Sequence, residues 1–351
     1  MKNVSDEVEI RDYVAEDENP VLALIQRGMG GGPTGTRDRG FWHWKHFQNP
    51  FGPSISLVAV HRDGQIIGLR TFMRWRFQAG DRPVNAVRAV DTVTHPDYRR
   101  YGVFSNLTRQ AVEKVRKASI AIIYNTPNAT VLPGYLKLGW RLVSLIRPQI
   151  KILNYPRFII GVARSRGKRQ PSALDPSARF FRQEPPSIED LLRQEKAVEQ
   201  LLQSREQRRD NRLHTRRTLG YLRWRYSQYP FVKYRVIYRQ NHDELPGCLI
   251  FRPSGRLGMK EIVLSELITP KQDREIASAL IKEMVSCLDA DYIVAYFPER
   301  SFERDILRRN GFHDLPFQGI NFAVNSLSEV PGLQPGQFSS WELSLGDLEI
   351  F

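Results

Sequence analysis

Residues 93–107, Val-Thr-His-Pro-Asp-Tyr-Arg-Arg-Tyr-Gly-Val-Phe-Ser-Asn-Leu, carry the densest chemistry in the chain. A β-type stretch, Val87–Thr94, ends at a short turn, and a glycine-containing loop and an amphipathic helical pattern follow. That order aims unbonded backbone N–H groups and the positive end of a helix dipole at one point. A pyrophosphate suits such a point. Arg99 and Arg100 can add charge-assisted bonds, and Gly102 lets a ligand approach the backbone.

Other residues offer weaker chemistry. Trp42, beside Trp44, presents an aromatic face for a sugar or aromatic acceptor. The run Arg205, Arg208, Arg209, Arg212, Arg216 and Arg217 reads as a solvated helix face, with an anionic acceptor or RNA as the alternative. Seven His and two Cys are scattered without metal-type spacing, so no metal is expected. The formal charge of +14 predicts attraction to polyanions, whether a nucleotide, nucleic acid or anionic lipid.

The elements that must position these groups alternate between α and β. Val8–Val14 reads as a strand, and Asp17–Arg27 as a helix. The loop Gly28–Gly35 lacks the Gly-Lys-Ser/Thr ending of a nucleotide P-loop. Asp38–Phe47 is a short helix, and Ile55–Val60 and Gln65–Phe77 form a hairpin turning at Arg62-Asp63-Gly64. Asn85–Thr94 is a strand, Tyr101–Ala118 a helix, Ile120–Tyr124 a strand, Asn128–Leu138 a helix ended by Gly139, and Arg141–Ile146 a strand. A length of 351 residues suggests two domains, and the second half repeats the first. Gly40, Trp44, Gln48, Pro50 and Phe51 recur as Gly220, Trp224, Gln228, Pro230 and Phe231 at a constant offset of 180. Asp91-Thr-Val-Thr94 recurs as Glu266-Leu-Ile-Thr269. After Thr269 no glycine stands where the phosphate loop should be.

The segment Arg99-Arg100-Tyr101-Gly102-Val103-Phe104 resembles the acyl-CoA-binding motif R/Q-x-x-G-x-G/A of the GNAT (GCN5-related) N-acetyltransferases, with Phe104 where the family usually has Gly or Ala. Asn128, Tyr135, Gly139 and Trp140 fit its Asn-x6-Tyr-x3-Gly-Phe pattern, with Trp for Phe. The ending Trp341-Glu-Leu-Ser-Leu-Gly-Asp347 is similar to that of tandem GNAT proteins of bacteria. The resemblance implies an α/β (α+β) chain of two tandem GNAT-like domains, each a mixed, mostly antiparallel sheet flanked by helices. The expected division is an acyl-CoA-binding domain at 1–149, a basic Pro-containing linker at 150–177, a degenerate copy at 178–327 and a tail at 328–351.

The implied activity is transfer of an acyl group from a CoA thioester, acetyl-CoA in the first instance, to an amine, possibly a sugar amine. The loop Arg99–Phe104 would hold the pyrophosphate, and Asn128 would contact the pantetheine region. Backbone N–H groups near Val93 and Thr94 would polarise the acyl carbonyl. Tyr135 would protonate the leaving thiolate, and Asp91 would take the proton of the amine. Trp42 would line the acceptor site. Two other readings stay open: an aminoacyl-tRNA-dependent transferase of the Fem type, and a non-catalytic GNAT-fold binding protein. Without a secretory signal or a long apolar run, a cytoplasmic location is expected. Acceptor, acyl length and oligomeric state are not legible.

Overall fold

Strand alternation and turn chemistry build two sheets from this chain. The computed structural model describes residues 7–29, 37–166, 178–207, 211–241, 244–270, 273–315 and 319–348. The first unit runs β1 (Val8–Asp12), α1 (Glu18–Met29), α2 (Arg39–His46), β2 (Ile55–His61), β3 (Ile66–Ala79), β4 (Arg82–Thr94), α3 (Val103–Lys117), β5 (Ile122–Asn125), α4 (Leu132–Leu136) and β6 (Arg141–Ile146). Then come β7 (Gln149–Ile152), α5 (Tyr155–Arg166), α6 (Ile188–Leu192), α7 (Glu195–Glu206) and α8 (Leu219–Leu222). The second unit continues with β8 (Arg235–Asn241), β9 (Glu244–Arg256), β10 (Met259–Ile268), α9 (Arg274–Cys287), β11 (Tyr292–Ala295), α10 (Phe302–Arg309), β12 (His313–Asp314) and β13 (Ile320–Ser326), and α11 (Leu345–Leu348) lies in the tail.

The central hairpin of each unit closes on a two-residue turn. Ala79 pairs with Arg82 across Gly80-Asp81, and Arg256 pairs with Met259 across Leu257-Gly258. Leu257 and Gly258 both have positive φ, 56° and 72°, the backbone twist that a tight hairpin demands. Beyond each hairpin a helix, α3 or α9, returns the chain to a parallel strand, β5 beside β4 and β11 beside β10.

The sheets exchange strands. The first has the order β1-β2-β3-β4-β5-β13-β6, and the second β12-β7-β11-β10-β9-β8. Thus β13, from the end of the second unit, fills the place between β5 and β6. Reciprocally, β7 fills the place between β11 and β12. The division at 149/150 and 327/328 read from sequence therefore separates two strands from the sheets they complete. The stretch expected as a linker opens with β7 and α5; residues 167–177 of it lie outside the described residues.

The repeat is also the seam. Trp44 Nε1 donates to the carbonyl of Trp224 at 2.7 Å, and Trp224 Nε1 donates to that of Trp44 at 2.9 Å. Their rings stack at 5.1 Å and 15°. One continuous apolar cluster runs from Trp75 and Phe77 through this pair to Tyr226 and Tyr234. A core-packing role for Trp44, shared by both copies, follows directly.

The arginine run does not form one solvated helix face. α7 ends at Glu206, and Arg217 is buried against Glu266 and Asp347 at 2.8 and 2.9 Å. Arg205 donates to the Leu267 carbonyl, and Arg212 pairs with Glu342 at 3.3 Å. Arg208 and Arg209 lie outside the described residues. The tail from Trp341 to Leu348 is largely buried, and Arg212 and Arg217 anchor it through Glu342 and Asp347, whereas Arg205 holds β10 and Arg216 stays exposed.

Candidate functional site

The parallel pairing of β4 with β5 covers only Ala86 to Arg88 against Ile122 to Tyr124. β4 then runs on to Thr94 with β3 as its sole paired neighbour among the described residues. A gap therefore opens between β4 and β5, flanked by the loop before α3. Within it β4 bulges. Leu69 pairs with Val93 and Thr71 with Val90, so Arg70 of β3 faces two residues, Asp91 and Thr92. Asp91 takes a positive φ of 39° there. Val93 and Thr94 follow the bulge on the open side. Val93 is buried and packs so closely on the end of α1 that a Cβ on Gly28 would lie 2.3 Å from its Cγ2.

The loop that follows is built to expose N–H groups. His95 and Pro96 start a single 3-10 turn, and Arg100 and Gly102 take φ of 71° and 81°. The first bond of α3 runs from Asn106 N–H to Gly102 O at 2.9 Å, leaving the preceding N–H groups at the open end. No side chain caps this helix and no acidic residue stands in its first turn. Arg99, Arg100, Tyr101 and Gly102 are exposed, and a Cβ at Gly102 would meet nothing within 4 Å. Arg99 also donates to the Gly28 carbonyl at 3.3 Å, tying the loop to α1. Val103 is buried beneath the helix. Phe104 turns away from the loop: its ring meets Tyr135 edge-on at 5.6 Å, and its edge would lie 3.3 Å from a Cβ on Gly134. The large residue thus packs beneath the cradle, not across it.

The corresponding helix of the second unit is closed to anions. The Asp273 carboxylate accepts N–H of Glu275 at 2.9 Å and of Ile276 at 3.0 Å, and Glu275 adds a second negative charge in the first turn. Sequence reading found the missing glycine; the acidic cap is the stronger bar, because it occupies the donors themselves.

Tyr135 is buried, with Trp140 at 5.2 Å on its other side. Its hydroxyl accepts from Arg70 Nη1 at 2.8 Å, and the same nitrogen donates to Thr92 Oγ1. A guanidinium only donates, so the Tyr135 proton is left to point elsewhere. Arg70 is wholly buried, 4.4 Å from the Phe72 ring, and has no carboxylate partner among the described residues. Its Nε and Nη2 lack acceptors. Arg70 was missed from sequence; the available signal was one charge inside the apolar run Ile66-Ile-Gly-Leu-Arg-Thr-Phe-Met73.

Asp91 stands in different surroundings from those expected of a base. Lys45 Nζ lies 2.6 Å away, His46 Nε2 3.0 Å and Arg37 Nε 3.7 Å. Burial opposes its ionisation, but the charge of Lys45, the hydrogen bond from His46 and the charge of Arg37 prevail and hold the carboxyl well below its usual range. Lys45 and His46 are themselves pulled down by burial against the attraction of Asp91. A carboxylate so stabilised has little affinity for a proton, which corrects the general-base expectation. The clamp recurs in the second unit: Arg217 and Tyr226, at the 180 offset from Arg37 and His46, hold Glu266.

Two further expectations change. Trp42 is buried between Tyr13 at 5.8 Å and His46 at 4.0 Å, so it offers no face to an acceptor. Asn128 is exposed, and its Oδ1 accepts N–H of Thr130 and Val131 at 3.0 and 3.1 Å. That Asx turn delays the helix, which is why α4 is shorter than the sequence pattern suggested. The glycine-rich loop before Trp42 lies outside the described residues from 30 to 36. No cluster of three metal-ligating side chains occurs among the described residues.

The opposite side of the gap is closed by the tail. Arg88, the last β4 residue paired with β5, donates to the carbonyls of Asp347 and Leu348. Burial lowers its pKa to about 10, and the side chain remains charged at neutral pH.

Residues 9–143 match a family model described as an acetyltransferase (GNAT) domain. No curated protein matches the chain. Among solved structures, a GCN5-related N-acetyltransferase from Anabaena variabilis aligns with TM-score 0.61 at 11% identity, over 92% of this chain and 73% of that one. A probable N-acyltransferase from Enterococcus faecalis aligns with TM-score 0.62 at 11% identity, over 91% and 73%. Saccharomyces cerevisiae N-myristoyltransferase with bound myristoyl-CoA aligns with TM-score 0.55 at 13% identity, over 94% and 86%. The phosphate-type loop, the splayed strands and these matches agree: residues 9–143 match an acetyltransferase (GNAT) domain, and the chain shares the fold of GCN5-related N-acetyltransferases, with a second, mostly antiparallel sheet after the first.

Proposed function

We propose that the chain is an acyl-CoA-dependent N-acyltransferase with one working site, in the first unit, and that acetyl-CoA is its donor. The observation that carries this reading is the contrast between two homologous helix starts. α3 offers uncapped donors beside Arg99 and Arg100, and α9 fills its own with Asp273. A pyrophosphate gains from the first and is repelled by the second.

The CoA thioester, when bound, supplies the acyl group. Backbone N–H groups at Val93 and Thr94, past the bulge, stabilise the oxyanion formed as an amine adds to the carbonyl. As the C–N bond forms and the C–S bond breaks, Tyr135, its oxygen held by Arg70, gives its proton to the departing sulfur, and the proton shed by the amine nitrogen passes through water to the phenolate left behind. Asp91 fixes the bulge and carries no proton. The acceptor is an amine, a sugar amine being one class.

Calorimetric titration tests the reading. One acetyl-CoA per chain, with ATP at least tenfold weaker, is expected. Two per chain, or no binding at millimolar ligand, would overturn it.

A further inference from the structure

α5 presents an apolar face outward. Its inner side is fixed: Phe158 meets Tyr292 at 5.4 Å, and Gly161 sits so close to β10 that a Cβ would fall 2.3 Å from Met259 Sδ. Asn154 caps the first turn through the N–H of Arg157 at 3.2 Å. The outer side carries Tyr155, Ile159 and Ile160, exposed by 62%, 64% and 49%. Three such neighbours on one helix are unusual for a surface with nothing to meet. Arg157 and Arg164, both exposed, border this face.

Charge identifies the occupant. From Arg147 to Leu174 the sequence holds seven Lys or Arg and no Asp or Glu. A second copy of the chain would bring the same positive rim against itself. Nucleic acid would answer the charge but leave the isoleucines in water. An anionic bilayer answers both, taking the apolar side chains into the headgroup–acyl boundary and the guanidinium groups onto lipid phosphates. No helix among the described residues is long and apolar enough to cross a membrane. We propose that α5 docks the protein on an anionic membrane surface, with Tyr155, Ile159 and Ile160 inserted and Arg157 and Arg164 at the phosphates. This inference does not depend on the acyl-transfer reading.

The test is sedimentation of the full chain with vesicles of phosphatidylcholine alone or mixed with phosphatidylglycerol, at low and at 0.5 M salt. Binding to the mixed vesicles, lost at high salt, is expected. Ile159→Glu should weaken it at least roughly tenfold. Arg157→Gln and Arg164→Gln should each weaken it about fivefold. All three sites are exposed, and circular dichroism and acetyl-CoA affinity should match the parent for Ile159→Glu and Arg164→Gln; Arg157 also pairs with buried Asp291 at 3.9 Å, so Arg164→Gln is the cleaner charge variant. Equal binding to neutral vesicles, no binding to either, or binding indifferent to Ile159→Glu would overturn the proposal. So would tight binding of an RNA that is insensitive to Ile159→Glu and displaces the vesicles.

Discussion

Asp91→Asn separates a fixed charge from a catalytic base. The substitution preserves shape and removes one negative charge from a site whose partners, Lys45 and His46, are 2% exposed. Lys45 would then lose the carboxylate that lies 2.6 Å from its Nζ. Breaking a buried pair by removing one partner costs about 3–5 kcal/mol. Native domains have about 5–15 kcal/mol in total, so this is a large fraction. At about 2–4 °C per kcal/mol for a chain above 150 residues, the melting temperature should fall by roughly 6–20 °C. Adding Lys45→Met should return part of the loss, because the two residues are in direct contact at 2.6 Å and their effects couple. Thermal melting followed by circular dichroism reads both variants. The pH dependence has a definite sign. Asp91 is depressed in the folded state, so the unfolded chain binds more protons in acid. Its contribution is complete above the unfolded carboxylate range near about 4 and is lost as pH falls below it. An Asp91→Asn protein with parental melting temperature and acid stability, but no acyl transfer, would refute this reasoning and restore Asp91 as a base.

Three other substitutions probe the site. Gly102→Val forces a β-branched residue to φ 81° at the start of α3, so acetyl-CoA affinity should drop at least tenfold by calorimetry, with the fold intact because no protein atom lies near that Cβ. Arg70→Met replaces a buried cation without a counter-charge, so the melting temperature should hold or rise. Tyr135→Phe should lower kcat by about a hundredfold or more with little change in acetyl-CoA affinity. Arg70→Met should reproduce part of that loss, measured as thiol release, and add little in the Tyr135→Phe background.

The local structures were legible because their signals are local. The helical pattern over Tyr101–Ala118 and the glycine-containing turn before it specify backbone over a few residues, and the chain forms α3 there with Gly102 at its start. The repeat was legible because Trp44 and Trp224 kept both type and spacing. What failed was anything that depended on who the neighbour is. Trp42 reads as an aromatic face until Tyr13 and His46 cover it. Asp91 reads as a base until Lys45 and Arg37 arrive from 46 and 54 residues upstream.

The sequence by itself determined the glycine-containing loop before α3, the absence of a glycine at its counterpart after Thr269, the tandem order of elements and the basic character of the chain. Turn geometry, helix starts and hydrophobic period are set by neighbours in sequence, so they need no knowledge of the fold. The tertiary structure alone decided the exchange of β7 and β13 between sheets, the role of Asp91, the Arg70–Tyr135 bond and the outward face of α5. Those follow from burial and long-range pairing, and a charge or an aromatic ring takes its role from the dielectric and the partners that the folded chain places around it.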